Sequence, residues 1–413
     1  MSVGAGGSAV TLGGRAIARP IVLPLPSRPF VLVAVLFLGL SFQMLTFSGR
    51  LADGELGSGP ALKLYHGLFA AFGLLLVARG RVVRWRPEMI AYFVVVGTTA
   101  LLASLRFGPK AAIVNTVFAA YAATVGASAG RMAGGETALR ALRWASVAVL
   151  AAVLAKAVLF LPEILRFFAS PFGHPVLPTF YGGGPNLEAT WVAMAGVFLI
   201  GSRLFLPYML GSALLCAAYA SRSGFIVVLL VVVVSIVGTL LRGGGGRLRR
   251  WMLPLAVAGA SVAGVAAARG VEGANYIAQR FQSIGEDPGS MGRLTLWTGG
   301  VEVFTAHPLG VGLGNAVPQL ERSIGANLPE DNLHNQYLQH LVEAGVQGLL
   351  AYLLLVGLAV RRLLLSRFRD PMLMYVGIYF LLAMLQFRGA EALLWFVYGL
   401  QHGTTTHEDT HAT

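Results

Sequence analysis

Charge is scarce in this sequence: of 413 residues only 12% are Asp, Glu, Lys or Arg, whereas 56% are hydrophobic. So little polar surface cannot cover a soluble globule of this length, so lipid must be the solvent for most of the chain. Cysteine is nearly absent as well. The single Cys216 lies in an apolar run, which excludes a disulfide framework and a thiolate metal site. The period-two alternation of β-barrel spans is missing. The excess of Lys and Arg, 31 against 18 acidic residues for a net charge of +13, includes no basic stripe interleaved with aromatics. A nucleic-acid partner is therefore not expected.

What the chain does have is apolar stretches of roughly 17–20 residues, the length a helix needs to cross a hydrocarbon core about 30 Å thick. They fall near 30–47, 62–78, 89–105, 111–128, 145–162, 190–202, 205–220, 225–241, 252–268, 342–360, 371–387 and 390–400. The expected fold is all-α: a polytopic transmembrane bundle of about twelve spans, a single integral membrane domain over 1–413. No small-residue cleavage pattern follows the first span, which reads as retained rather than removed. Arginines cluster after alternate spans, for example Arg79, Arg81, Arg84 and Arg86, then Arg242, Arg247, Arg249 and Arg250, then Arg361, Arg362, Arg367 and Arg369. The positive-inside rule makes those loops and both termini cytoplasmic. The two long connections, 163–189 and 269–341, then face the other side, and the larger should carry amphipathic helices.

Basic residues on that outer side break the orienting rule and call for their own explanation. Arg222, in Ser221-Arg222-Ser223-Gly224, interrupts apolar sequence between two spans that leave almost no loop. It reads equally as an anion-binding guanidinium or as a snorkelling arginine. Arg293 precedes Leu294, Trp297 and Val301 or Phe304 at helical spacing, so an amphipathic helix with Arg293 near its start is expected. Its planar fork of donors suits two phosphoryl oxygens, although a lipid headgroup would satisfy it too. Arg280 belongs to the same loop. His307-Pro308-Leu309-Gly310-Val311-Gly312-Leu313-Gly314-Asn315 is too rich in glycine for a regular helix and should allow close backbone approach. No Lys-Ser/Thr follows it, so a nucleotide P-loop is not indicated.

His334 stands just before the tenth span. At helical spacing His334, Tyr337, Leu338 and Leu341 would share a face, and an imidazole there could serve as a general base or as a structural hydrogen-bonding group. His334 and His340 do not have the i, i+4 spacing of a helical zinc site, so no metal is expected. Glu343 at the start of an apolar span should pair with an arginine or, more simply, cap the helix. Asn186, after Gly182-Gly183-Gly184-Pro185, could donate to a glycan or cap the sixth span.

Taken in order, Ser221-Arg222-Ser223-Gly224, Gly292-Arg293 with Trp297, His307 to Gly312, His334-Asn335-Gln336-Tyr337-Leu338 and Glu343-Ala344-Gly345 with Gly348-Leu349 resemble the bacterial O-antigen ligase and O-antigen polymerase superfamily. The resemblance covers roughly residues 180–360 by motif. It implies a metal-independent, cofactor-free inverting glycosyltransferase of the inner membrane, acting at the periplasmic face. The donor would be an undecaprenyl-diphosphate-linked glycan, and the acceptor a hydroxyl of lipid A-core or of another glycan. It further implies His334 as the base and Arg222 and Arg293 as diphosphate ligands, with Asn186, Arg280, Asn335, Tyr337 and Glu343 in support. A polymerase joining lipid-linked repeat units shares these motifs. A lipid or glycan transporter is the alternative of another class, but the internal repeats common in such proteins are not evident.

The charge rule makes a direct prediction. Alkaline phosphatase fused after residue 320 should be active in cells, and the same enzyme fused after residue 245 should be silent. The opposite pattern would invert the assigned topology.

Overall fold

The computed structural model describes residues 27–45, 63–78, 85–107, 111–169, 175, 177–182, 184–241, 288–328, 330, 332–385 and 391–411. These residues are helical almost throughout. The helices are α1 (Arg28–Ser41), α2 (Leu64–Ala78), α3 (Pro87–Phe107), α4 (Ala111–Ala133), α5 (Gly135–Leu159) and α6 (Leu161–Ala169). Next come α7 (Gly184–Ala195), α8 (Phe205–Ala218), α9 (Arg222–Leu241), α10 (Pro288–Ala306) and α11 (Ala316–Ile324). The last three are α12 (Gln336–Leu365), α13 (Pro371–Leu382) and α14 (Glu391–His411).

Among the described residues, α4, α5, α9 and α12 are long and apolar enough to cross a membrane, and shorter apolar helices lie in α1, α2, α3, α8 and α13. Their outward faces present Leu74, Leu101, Val114 and Leu159, large apolar side chains left exposed because lipid suits them. The crossing expected near 252–268 lies outside the described residues. The one expected near 190–202 starts earlier, as α7, and tightens into a 3-10 turn over Gly196–Leu199. In the long connection expected over 269–341, the described residues include the helices α10 and α11 and the start of α12 at Gln336.

Local chemistry sets the helix starts. Asp370 accepts from Met372 N at 2.9 Å and Leu373 N at 3.2 Å, with Pro371 in the first turn, so α13 begins there. Asn335 does the same for α12 by accepting from Leu338 N at 3.1 Å.

Among the described residues, α4 and α14 make an especially close helix contact. Gly126 and Gly130 on one helix meet Gly399 and Gly403 on the other. A Cβ at Gly126 would lie 2.2 Å from the Phe396 carbonyl oxygen, and one at Gly403 would lie 1.9 Å from that of Ala127. Only glycine permits this approach. In lipid, where apolar burial gives no net drive, such backbone-to-backbone packing is what holds helices together.

A polar network closes the same end of the bundle that holds Asp370. Arg362 Nη1 bridges Glu88 and, at 2.8 Å, the Tyr398 hydroxyl; Arg86 Nη2 donates to Gln401 Oε1 at 2.8 Å; and Gln401 Nε2 donates to Asp370 Oδ2 at 2.8 Å. Arg86 and Arg362, which the charge pattern counts among the orienting loop residues, therefore turn inward and tie α3, α12, α13 and α14 together.

Gly403→Leu should separate α4 from α14. Forced overpacking costs about 1–3 kcal/mol, so the melting temperature in detergent should fall by several degrees. An unchanged melting curve would show that this contact contributes little.

Candidate active site

Opposite that network, α12 is broken near its beginning. Gly345 has φ +71° inside the helix, and the break frees the carbonyls of Val342 and Glu343 from their usual intrahelical partners. The glycine-rich loop between α10 and α11 fills the break. Val311 N donates to Val342 O at 2.9 Å, Gly312 N to Glu343 O at 2.8 Å, and Val346 N returns a bond to Pro308 O at 3.2 Å. Gly310, at φ +93°, passes so close that a Cβ would lie 2.5 Å from the Glu343 carbonyl oxygen. The close backbone approach expected of this loop is thus met, and the backbone it approaches belongs to its own chain.

The Glu343 carboxylate completes the join. It is buried and accepts from Gly314 N at 2.9 Å and from the Gln339 side chain. The capping role expected of it is corrected: Glu343 lies two turns inside α12, whose start is capped by Asn335, and it serves the adjacent loop instead. The Gln339 amide then accepts from Leu333 N at 2.9 Å, while Trp297 Nε1 donates to Leu333 O at 2.8 Å. Leu333, fully buried, is therefore held at both its backbone polar groups and by its side chain.

His334 follows this anchored residue. It does not share a helical face with Tyr337 and Leu338, because α12 begins only after the Asn335 cap. Instead it takes the left-handed conformation, φ +50°, with its N–H donating to Asn332 Oδ1 at 2.8 Å. A non-glycine residue there carries a local cost that its surroundings must offset. Its Nε2 lies 2.8 Å from Glu330 Oε2, and the ring is partly exposed. An ionised carboxylate can only accept, so in this pair Nε2 carries a proton and a neutral ring keeps the Nδ1 lone pair. His340 is separated from it, buried with Nε2 at 3.2 Å from the Tyr92 hydroxyl.

Arg293 lies on α10, one turn before Trp297 and on the same side of the helix. The packed seam of α10 differs from the expected one: Leu296, Gly299, Gly300 and Val303 face inward, and Leu294 and Val301 are exposed. A Cβ at Gly299 would lie 2.3 Å from Leu320 Cδ1, so glycine sets how closely α11 approaches.

Arg222 is the first residue of α9 and is partly buried. The serines on either side of it grip Asn186 in the first turn of α7: Ser221 Oγ and Ser223 Oγ both donate to Asn186 Oδ1, the latter at 3.0 Å. Asn186 thus joins two helix starts and fixes where Arg222 emerges. A chain of contacts links this pair to the His334 segment. Trp191 of α7 meets Tyr379 of α13 at 5.6 Å, and the next residue, Phe380, accepts from the Tyr337 hydroxyl at 3.0 Å. Tyr337 and Asn335 therefore position α12. Arg280 lies outside the described residues.

Sequence reasoning missed one buried pair. Lys156 of α5 binds Glu188 of α7, which also accepts from Phe180 N at 2.6 Å and Tyr219 Oη at 3.3 Å. The pair anchors the segment leading into Asn186. Two lone charges, one in each of two distant apolar stretches, are the only trace it leaves in the sequence.

The motifs so assembled have a counterpart among known proteins. Residues 207–353 match the O-antigen ligase family. The match supports membership of the O-antigen ligase and polymerase superfamily, and hence a ligase- or polymerase-type glycosyltransferase in a membrane. The family segment takes in Arg222, Arg293, His334 and Glu343, and it stops short of Asn186. A comparison with curated proteins gave no match.

Gly345→Ala should spring the glycine-rich loop from α12, since a Cβ there would lie 2.5 Å from Leu309 C and φ is positive. Strain of about 1–3 kcal/mol is expected, seen as faster amide exchange at Val311 and Gly312 with α4 and α14 unaffected. Unchanged protection at both amides would contradict the proposed docking.

Proposed function

We propose that this chain is an O-antigen-ligase-type glycosyltransferase working at the outer, periplasmic face of the bacterial inner membrane. The observation that carries the reading is His334, held in a left-handed turn on an anchored loop, with Nε2 on the Glu330 carboxylate. A base in that state can accept a proton through Nδ1, and the carboxylate stabilises the imidazolium that results.

In the proposed reaction the acceptor hydroxyl oxygen attacks the anomeric carbon of the donor sugar. The new glycosidic C–O bond forms as the bond to diphosphate breaks, the hydroxyl proton passes to His334, and undecaprenyl diphosphate leaves with the bonding pair. Attack opposite the leaving group inverts the anomeric centre. Arg222 and Arg293 would hold the leaving diphosphate, each guanidinium offering paired donors to phosphoryl oxygens, so neither metal nor cofactor is invoked. Asn186 supports this by fixing the start of α9. Glu343, Asn335 and Tyr337 support it by fixing the His334 segment, and Arg280 is proposed to add to the basic surroundings.

The acceptor that fits the ligase reading is lipid A-core. The family match favours glycosyl transfer over transport, and a polymerase would differ only in using a second lipid-linked glycan as acceptor. Protein in nanodiscs, supplied with lipid-linked donor and both acceptors, should give a mass-resolved product on lipid A-core. His334→Ala should lower the rate about 10²- to 10⁴-fold while leaving the protein inserted and folded, and Glu330→Gln should lower it less. Full activity of His334→Ala would remove this residue from the chemistry, and product found only on the lipid carrier would convert the assignment to polymerase.

A further inference from the structure

Between α3, α4, α12 and α14, at the end of the bundle that carries His334, lies a cavity of about 70 Å³ with two kinds of wall. Part is aromatic, formed by Tyr92, Phe93 and Trp395, with Phe93 and Trp395 centroids 4.6 Å apart and Tyr92 and Trp395 5.0 Å apart. The rest is polar. Gln336, Gln339, His340 and Glu343 recur at helical spacing and form one face of the first turns of α12. Both amides on that face already carry bonds, Gln339 to Leu333 and Glu343, and Gln336 to His340 at 3.2 Å. The wall is therefore held in place before any ligand arrives.

An apolar cavity of this size would stay empty, whereas a polar one takes up hydrogen-bonding material. At roughly 10–15 Å³ per water this one has room for about five to seven waters. Carboxylate, carboxamide and imidazole groups offer acceptors and donors together, as a cluster of hydroxyls requires. Aromatic rings beside them suit the C–H faces of a sugar, and a mostly apolar pocket with a few placed polar groups is the usual form of a small-molecule site. We propose that this cavity is a saccharide subsite that receives one pyranose ring of the glycan, next to the bond being made at His334. This deepens the glycosyltransferase reading and rests on it for the identity of the substrate. It also gives the polar face of α12 a task beyond holding the loop.

The test separates binding from chemistry. The probes are methyl β-glycosides of glucose, galactose and N-acetylglucosamine, titrated onto the full chain in nanodiscs and followed by saturation-transfer NMR. At least one should bind saturably, and equally well to His334→Ala. Ala119 lines the cavity and is buried, so Ala119→Leu fills it, and affinity should fall about tenfold or more, or 1.4 kcal/mol. Asn115 lines it from an exposed position, so Asn115→Ala keeps the fold intact and should weaken binding about threefold. Absence of saturable binding to the native chain, or unchanged binding in both variants, overturns the subsite. Transfer from lipid-linked donor that persists without sugar binding in the cavity would sink the subsite alone. Sugar binding without any transfer would sink the proposed reaction and leave the subsite standing.

Discussion

One buried carboxylate holds the candidate site together. Glu343 joins the glycine-rich loop through Gly314 N and, through Gln339, the residue on which His334 is mounted. A carboxylate this deeply buried is costly without donors; Gln339 supplies one from the same helix, but the Gly314 amide reaches it only when α12 is broken at Gly345 and the loop is seated. The dependence runs both ways. The break exposes the carbonyls that the loop amides need, and the loop supplies the amide that the carboxylate needs. Three separate motifs thus form a single hydrogen-bonded unit, which explains why they occur together.

The second half of the site is built by different means. Around Asn186 the agents are neutral hydroxyls and an amide, bringing two helix starts side by side. Helix starts concentrate unpaired N–H groups and positive partial charge. Arg222 stands at such a start, so a guanidinium and the positive end of the α9 dipole occur at one place in the chain. Behind it, Lys156 and Glu188 anchor the segment leading into α7, an arrangement tolerated because each charge has its partner and the carboxylate has further donors.

Much of this was legible in the sequence. Apolar lengths announced a helical membrane protein, glycine density announced close backbone approach, and the lone basic residues marked places that need explanation. The illegible features depend on surroundings that residue spacing does not encode: a lipid or protein environment, the exact start of a helix, or a partner remote in sequence. The face of α10 was misread because exposed Leu294 and Val301 look like core residues when lipid or an interface is their environment. His334 was placed on a helix because periodicity does not reveal that Asn335 caps the helix after it. Lys156 and Glu188 say nothing singly. The glycines of α4 and α14 have a recognisable spacing, but in a chain with 52 glycines that spacing is common by chance.

The contact between α4 and α14 has a bearing on how the protein is made. Helices emerge from the ribosome in order, and the partner of Gly126 and Gly130 is the last helix described. Until it enters the bilayer, α4 presents an open backbone groove to lipid, and the inward-turning Arg86 lacks Gln401. Trp395, on that same late helix, also lines the cavity between α3, α4 and α12. A chain in which α14 has not yet entered the bilayer therefore holds His334 in its turn with the aromatic wall of that cavity incomplete.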